Sequence, residues 1–166
     1  ADEPTTALDV TIQAQILKLM KDIKEQSKTS IIIISHDLGV IAEMADKVLV
    51  MYAGQVVEEA DVFELFDNPK HPYTKGLMDS IPHLEYDNTQ RLYSIPGSVP
   101  NPQNMPQGCR FHTRCPYVTN QCLNSNPSLF AVNQDHLVRC WLYNESEMTT
   151  STTEEVQNEL IESSNQ

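Results

Sequence analysis

The feature that most constrains the fold is a run of four isoleucines, Ile31 to Ile34, which lies between two serines. β-branched side chains favour extended backbone, and a strand that is apolar on both faces is typical of a parallel sheet covered by helices. A helical pattern precedes this run from about Val10 to Ser27, and a second one follows it from Leu38 to Ala45. The sequence therefore predicts an α/β fold around a buried strand at Ser30–Ser35, in a partial parallel sheet flanked by helices.

Shorter elements follow. The pattern predicts two strands and two short helices, at Lys47–Met51, Val56–Glu58, Asp61–Phe66 and Pro72–Ile81. Gly54 suits the turn between the two strands, and Pro72 suits the first turn of its helix. The strand pair extends the α/β pattern to about residue 60.

Prolines and cysteines divide the rest of the chain. Six of the ten prolines lie between Pro82 and Pro116, which excludes a regular helix or a central strand there. We therefore predict four segments. They are an α/β part at 1–60, short helices with a proline-rich connector at 61–107, a small loop-rich module with four cysteines at 108–143, and an acidic tail at 144–166.

The charge balance excludes one class of function. The formal net charge is −12, and the tail supplies half of it with six glutamates and no lysine or arginine. We expect this polar tail to be disordered. The remaining residues are also acidic and contain no basic patch, which argues against binding to nucleic acid.

The first residues and the hydropathy of the chain indicate its cellular compartment. No apolar run approaches the roughly 18–20 residues that span a bilayer, and no signal peptide is recognisable. The chain opens with Ala1-Asp2-Glu3-Pro4 and without Met. We therefore expect a piece of a longer cytosolic protein, whose cysteines are reduced.

The adjacent carboxylates of Asp2 and Glu3 are the first candidate functional residues. Two neighbouring carboxylates repel each other, and burying them is costly unless a cation lies nearby. In phosphoryl-transfer enzymes one such group helps to hold Mg²⁺, and the other orients or deprotonates the attacking water. Taken alone, the dipeptide favours a solvated surface pair, and only the motifs around it indicate catalysis. One helix and one apolar run later, the chain continues with His36 and Asp37.

This combination resembles the ABC ATPase family. Asp2-Glu3 is similar to the end of its Walker B motif, Thr6-Ala7-Leu8-Asp9 to its D-loop, and His36 to its H-loop histidine. The stretch from Asp9 to Leu17 is typical of the branch that imports peptides and nickel. The resemblance implies the C-terminal part of a P-loop ABC ATPase domain, beginning inside Walker B.

The resemblance also implies a role for each residue. Asp2 would help to position Mg²⁺, and Glu3 would polarise the hydrolytic water. His36 would contact the γ-phosphate of ATP, and it follows a core strand at the sheet edge where α/β proteins bind ligands. Asp9 can cap its own helix, and in the family the D-loop touches the active site of the partner subunit.

Several family motifs are missing from these 166 residues. The sequence has no Gly-x-x-x-x-Gly-Lys-Ser/Thr loop to bind the phosphates, no Q-loop and no Leu-Ser-Gly-Gly-Gln signature. Stabilisation of the transferring phosphoryl group is the largest catalytic contribution in this chemistry. We therefore expect the chain to be inactive alone.

Four cysteines, Cys109, Cys115, Cys122 and Cys140, are the second candidate site. A loop-rich segment this small suggests a cross-link or a metal. Two disulfides, a structural zinc site and a [4Fe–4S] cluster remain open on spacing alone. Disulfides need an oxidising compartment, zinc favours closer cysteine pairs, and a cluster tolerates varied spacing.

The stretch from Gly108 to Tyr117, with Arg139-Cys140 further on, is similar to the C-terminal oligopeptide/dipeptide domain of the same importer branch. Some members of that family bind a [4Fe–4S] cluster, so the resemblance implies a cluster on the four thiolates, with zinc as the alternative. His112 and His136 are then expected near the ligands or in structural positions.

Together these features predict part of the ATP-hydrolysing subunit of an importer for oligopeptides or dipeptides, with ATP and Mg²⁺ as its ligands in the intact protein. The resemblance implies two such subunits arranged head to tail, transmembrane permease partners, an indirect link to an extracellular solute-binding protein, and a peripheral location at the cytoplasmic face of the membrane. The alternatives are a standalone iron–sulfur or zinc module without a transport role, and a secreted disulfide domain.

Overall fold

The computed structural model describes residues 1–81 and 93–144. The predicted tail, from residue 145 onward, and part of the proline-rich connector lie outside the described residues. These two ranges contain five α-helices and four strands, in the order α1 (Val10–Ser27), α2 (Leu38–Met44), β1 (Lys47–Tyr52), β2 (Gln55–Asp61), α3 (Val62–Asp67), α4 (Pro72–Asp79), α5 (Asn120–Asn124), β3 (Phe130–Asn133) and β4 (His136–Val138). No helix in the described part of the chain is both long and apolar enough to span a bilayer.

Helix α1 has the bounds that its periodicity predicts. Its first turn is capped by Asp9, whose side chain accepts hydrogen bonds from the backbone amides of Thr11 and Ile12. This cap satisfies two of the amides that a helix N-terminus leaves without partners. The helix ends at Ser27, and the residue that caps its C-terminus, Lys28, adopts a left-handed conformation with φ of 49°.

The sheet is antiparallel and has the strand order β1-β2-β4-β3. Its first two strands form the predicted hairpin, in which Ala53 and Gly54 both have positive φ angles, of 48° and 76°. Positive φ at both turn residues matches the twist of the flanking strands, and glycine adopts it without strain.

The predicted buried parallel strand at Ser30–Ser35 is not formed. The only parallel pairing in the described residues is an isolated bridge between Asp2 and Ile34, and Ile32 is 81% exposed. A parallel strand requires neighbours along its length to cover its apolar faces. Within the described residues, only Ala1 to Glu3 run beside it. The mixed α/β composition is therefore confirmed, whereas a parallel sheet is not.

The core joins distant parts of the chain. Phe111 is buried against the β1–β2 hairpin, where its ring meets Tyr52 edge-on with 5.1 Å between the ring centres. Aromatic pairs in this geometry stabilise a core beyond the area they bury. The buried cluster consists of six residues, Val50, Tyr52, Val57, Ala60, Leu65 and Phe111.

A buried carboxylate connects the sheet to helix α4. Glu58 of β2 is 0% exposed, and its two oxygens accept hydrogen bonds from the backbone amides of Lys70 and His71, at 2.6 and 2.9 Å. One of these oxygens also lies 2.7 Å from Nε2 of His136 on β4, and Nδ1 of His136 lies 3.3 Å from the carboxylate of Glu64 on α3. Such a group is tolerated only because its lone pairs are satisfied. Glu58 thereby fixes the start of α4 relative to the sheet.

Replacement of Glu58 by Gln should strongly destabilise the fold. The amide group can accept in place of only one oxygen, so a buried backbone amide loses its partner, and the free energy of unfolding should fall by about 2–4 kcal/mol. Urea unfolding followed by Trp141 fluorescence measures this change.

Glu59→Gln is the matched control, because Glu59 makes only a surface ion pair with Lys47. That change should cost less than about 1 kcal/mol. Equal losses of unfolding free energy in the two variants would show that the buried carboxylate stabilises the fold no more than a surface one.

Candidate functional site

Two groups of predicted site residues are brought together in the structure. The first lies at the start of the chain, where the amide of Glu3 donates to the carbonyl of Ile34 at 2.8 Å and the amide of Ile34 donates to the carbonyl of Ala1 at 2.9 Å. These bonds hold Asp2 and Glu3 beside the end of the isoleucine run. Glu3 adopts a left-handed conformation with φ of 42°.

The side chains of Glu3 and His36 are in direct contact. Nδ1 of His36 lies 2.9 Å from one carboxylate oxygen of Glu3, and the hydroxyl of Thr6 donates to the other oxygen at 2.8 Å. The hydrogen bond from Thr6, followed by that from His36, lowers the pKa of the Glu3 carboxyl. Both side chains remain open to solvent, with 45% of Glu3 and 78% of His36 exposed. The predicted pair therefore forms a solvent-facing acid–imidazole contact, with Asp2 next to it in sequence.

The two aspartates that flank this pair in the motifs are used as helix caps. Asp9 caps α1 as described above. Asp37 accepts from the amides of Gly39 and Val40 at the start of α2, and its second oxygen accepts from the side chain of Gln13 at 3.4 Å. Asp37 therefore fixes the helix that follows His36. The sequence analysis did not identify this role, although an Asp directly before a helical pattern is its usual signal.

The second group is a cavity of about 220 Å³, lined by all four cysteines. We call it the four-cysteine cavity. Its other lining residues are His71, Pro72, Phe111, His112, Tyr117, Thr119, Trp141, Leu142 and Asn144. The cysteines come from different local structures: Cys109 and Cys115 flank a short 3₁₀ helix, Cys122 lies in α5, and Cys140 follows β4. Sequence spacing predicted a shared site for them, and the structure brings them to one.

Close backbone contacts hold the cysteines in place. The amide of Cys109 donates to the carbonyl of Cys122 at 2.9 Å. At Gly108 an added Cβ would lie only 2.1 Å from that carbonyl oxygen, so glycine is required for this approach. The Sγ atoms also have partners: the amide of Tyr117 donates to Cys115 at 3.4 Å, and the hydroxyl of Thr119 lies 3.3 Å from Cys122.

All four cysteines are free thiols. Burial raises the pKa values of Cys109 and Cys115, and it raises the pKa of Cys140 to about 12. Neighbouring cysteines in the cavity contribute further to each of these shifts. Within the described ranges, no three His, Cys, Asp or Glu side chains are grouped closely enough to hold one metal ion.

Three histidines lie in or near this region in different states. His71 caps α4, because its Nδ1 accepts from the amide of Tyr73 at 3.0 Å, and burial lowers its pKa to about 3. His112 has Nδ1 at 2.8 Å from the carbonyl oxygen of Cys109. His136 is held by Glu58 within the fold. The sequence analysis assigned no chemistry to His71, because only the folded chain brings it to the cysteines.

The arginines beside the cysteines bind backbone carbonyls. Arg110 donates to the carbonyl of Ala53 at 2.5 Å, in the turn between β1 and β2. Arg114 donates to the carbonyls of Ile95 and Pro96, both at 2.9 Å, and Arg139 donates to Val56 at 2.8 Å and to Pro127 at 3.0 Å. These bonds attach the cysteine-bearing loops and the connector to the sheet.

Thr6→Val should raise the pKa of Glu3 toward its ordinary value, because it removes the hydrogen bond that lowers this pKa most. Because the pKa of Glu3 is lower in the folded chain, its hydrogen bonds stabilise the fold at pH values above the unfolded-state pKa of Glu3. This stabilisation is lost as the pH falls through the folded-state pKa. A ¹³C NMR titration of the Glu3 carboxyl measures the change. Thr11→Val, whose side chain is not bonded to Glu3, is the control, and an unchanged Glu3 titration in Thr6→Val would contradict the assignment.

Known proteins are similar to the chain over most of its length. Residues 57–122 match the family model of the oligopeptide/dipeptide transporter C-terminal region. The chain is 56% identical over 145 residues to the oligopeptide transport ATP-binding protein AppD of Bacillus subtilis, with 87% of this chain and 44% of AppD covered. It is 53% identical over 142 residues to OppD of the same species, with 86% and 40% covered.

A second bacterium gives the same result: the OppD protein of Haemophilus influenzae is 49% identical over 142 residues, which cover 86% of this chain and 43% of OppD. The chain thus spans less than half the length of these curated relatives. Over most of its own length, the chain is therefore similar to oligopeptide transport ATP-binding proteins.

Proposed function

We propose that the chain is part of the ATP-hydrolysing subunit of an ABC importer for oligopeptides or dipeptides. The observation that carries this proposal is the 2.9 Å contact between Glu3 and His36, with Asp2 beside them. The relatives are named as oligopeptide transport ATP-binding proteins, which supports the same reading. The α/β part would belong to a P-loop ABC ATPase domain.

Each residue has a chemical task in this proposal. Asp2 would help to hold Mg²⁺, which neutralises phosphate charge when it is bound. Glu3 would orient the attacking water and accept its proton, and the lowered pKa keeps its carboxylate in the ionised form that this role needs. His36 would contact the γ-phosphate, and its contact with Glu3 would link detection of that phosphate to the position of the base. Asp9 and Asp37 keep the loops on either side in place through their caps.

The chain would need partners for this activity. Its 166 residues contain no phosphate-binding glycine loop with its lysine, no Q-loop and no signature motif. We propose that these groups act with the present residues in a head-to-tail pair of subunits, attached to transmembrane permeases at the cytoplasmic face and supplied by an extracellular solute-binding protein. Nucleotide binding would then move the permeases through a change in subunit contacts.

The chain alone should show no Mg²⁺-dependent ATP hydrolysis, because it lacks the groups that stabilise the transferring phosphoryl. Joined behind the corresponding N-terminal part of Bacillus subtilis AppD, it should hydrolyse ATP. In that chimera Glu3→Gln should reduce turnover about 100-fold or more while ATP still binds.

Glu25→Gln, an exposed change on α1, is the control and should leave turnover unchanged. Hydrolysis by the chain alone that disappears in Glu3→Gln would overturn the proposed division of the active site. Full turnover of the Glu3→Gln chimera would overturn the role of Glu3.

We also propose that the four-cysteine cavity holds a [4Fe–4S] cluster that acts as a structural staple, with zinc as the alternative. The support for this proposal is that all four thiols line one cavity of about 220 Å³. The cluster, when bound, would cross-link loops that are otherwise held by carbonyl–arginine bonds. Its ligands would be Cys109, Cys115, Cys122 and Cys140.

Anaerobic reconstitution with iron and sulfide should give about four of each per chain and a broad visible absorption. Replacing any one of the four cysteines by Ser should reduce the iron content strongly. Thr113→Ala, an exposed change between Cys109 and Cys115, should leave it unchanged. Zinc at one per chain, with no iron retained, would overturn the cluster assignment.

A further inference from the structure

We propose that His71 is a positioning residue that donates a hydrogen bond from its Nε2–H to the sulfur atoms in the four-cysteine cavity. This inference rests on the proposed metal or cluster site, because it describes how the fold treats the group bound there. The donor would stabilise negative charge on sulfur and thereby tune the reduction potential and the retention of that group.

The hydrogen bonds of His71 define its tautomer. Nδ1 accepts from the backbone amide of Tyr73 at 3.0 Å, so this nitrogen carries no proton. A neutral imidazole must then carry its proton on Nε2. Among the described residues Nε2 has no hydrogen-bond partner, although the residue is only 1% exposed. Since His71 lines the four-cysteine cavity, its Nε2–H is available to an acceptor inside that cavity.

The surroundings of His71 limit where that N–H can find an acceptor. Its own backbone amide is bound to Glu58, and its ring packs against Phe111, with 5.6 Å between the ring centres. The following residue, Pro72, restricts the backbone at the start of α4. The side chain lines the four-cysteine cavity. The ring is therefore held at the cavity wall by contacts on its backbone, its Nδ1 and one face.

Two other nitrogen-bearing rings line the cavity, and each uses its N–H elsewhere. Neutral His112 donates from Nδ1 to the carbonyl oxygen of Cys109 at 2.8 Å, which leaves its Nε2 as an acceptor. Trp141 donates its indole N–H to the carbonyl of Ser125 at 3.1 Å. Of these three rings, His71 alone has an N–H left for the cavity.

Sulfur is the natural acceptor for this donor. All four thiols line the cavity, and they become strong acceptors once they are deprotonated to bind a metal or cluster. A hydrogen bond to a ligand or bridging sulfur stabilises the more negative, reduced form of a cluster. Loss of the donor should therefore make reduction harder.

Two substitutions separate the donor from the helix cap. His71→Asn keeps an oxygen that can cap α4 but is too short to replace the imidazole N–H. His71→Phe keeps a ring of similar size and loses both the cap and the donor. His112→Asn is the matched control, because it removes a cavity-lining imidazole whose N–H is already bound to a carbonyl.

The reconstituted chain is titrated with dithionite and redox mediators, and the reduced cluster is measured by electron paramagnetic resonance. At the midpoint potential of the unsubstituted chain, the ratio of reduced to oxidised cluster should fall about three- to tenfold in both His71 variants, the factor expected for one hydrogen bond. It should stay unchanged in His112→Asn. An unchanged ratio in both His71 variants, or a shift in His71→Phe alone, would overturn the donor role.

The metal content distinguishes failure of this inference from failure of the proposed cluster. If the chain retains zinc and no iron, the cluster is wrong, and the donor is tested by chelator competition. Both His71 variants should then release zinc about tenfold faster than the unsubstituted chain, as expected for loss of a group that supports a ligand. Equal release rates would overturn the donor role. If the chain retains neither metal, the cluster proposal and this inference both fail.

Discussion

The structure depends above all on one buried carboxylate, Glu58. A carboxylate that is wholly removed from water is destabilising unless its oxygens are satisfied. Here the oxygens accept hydrogen bonds from the backbone amides of Lys70 and His71, just before α4, and one of them also contacts His136 of β4. Three elements far apart in sequence are therefore held in one arrangement, and any large shift of α4 would leave buried polar groups without partners.

This arrangement also supports the four-cysteine cavity. The amide of His71 binds Glu58, while the side chain of the same residue lines the four-cysteine cavity. On the other side of β2, Arg139 donates to the carbonyl of Val56 and brings the segment next to Cys140 against the same strand. The hairpin thus supports the cavity walls directly. The Glu3–His36 contact is separate, since it depends on the pairing of Ala1–Glu3 with Ile34 and stays exposed to solvent.

Local signals in the sequence predicted the local structure well. Asp9 before an amphipathic pattern gave the correct bounds of α1, and Gly54 predicted the hairpin, because caps and turns depend on neighbouring residues. The isoleucine run was misinterpreted as a covered parallel strand, since strand pairing depends on what lies alongside. Isoleucine favours extended backbone, but a strand in a sheet also needs adjacent strands, and the isoleucine run has too few of them in the described residues.

The site residues were predictable only where a motif marks them. The motif predicted Glu3 and His36, and the structure places them in contact, whereas their roles in hydrolysis stay predictions. Spacing predicted that the four cysteines share a site, but it did not predict the cavity or the histidine beside it. Glu58 and His71 were missed because their partners lie 12 to 78 residues away in the sequence. Nothing in a single stretch of chain indicates that a strand glutamate is buried.

The central claim is that Glu58 fixes the start of α4 and with it the position of His71. Native-state hydrogen exchange of the Lys70 and His71 amides tests this claim most directly, because both protons are bonded to the buried carboxylate. Both amides should exchange only when the whole fold opens, at the slowest rates in the chain. Exchange at the rate of an unstructured peptide would show that this hydrogen bonding does not hold the helix, and would contradict the account.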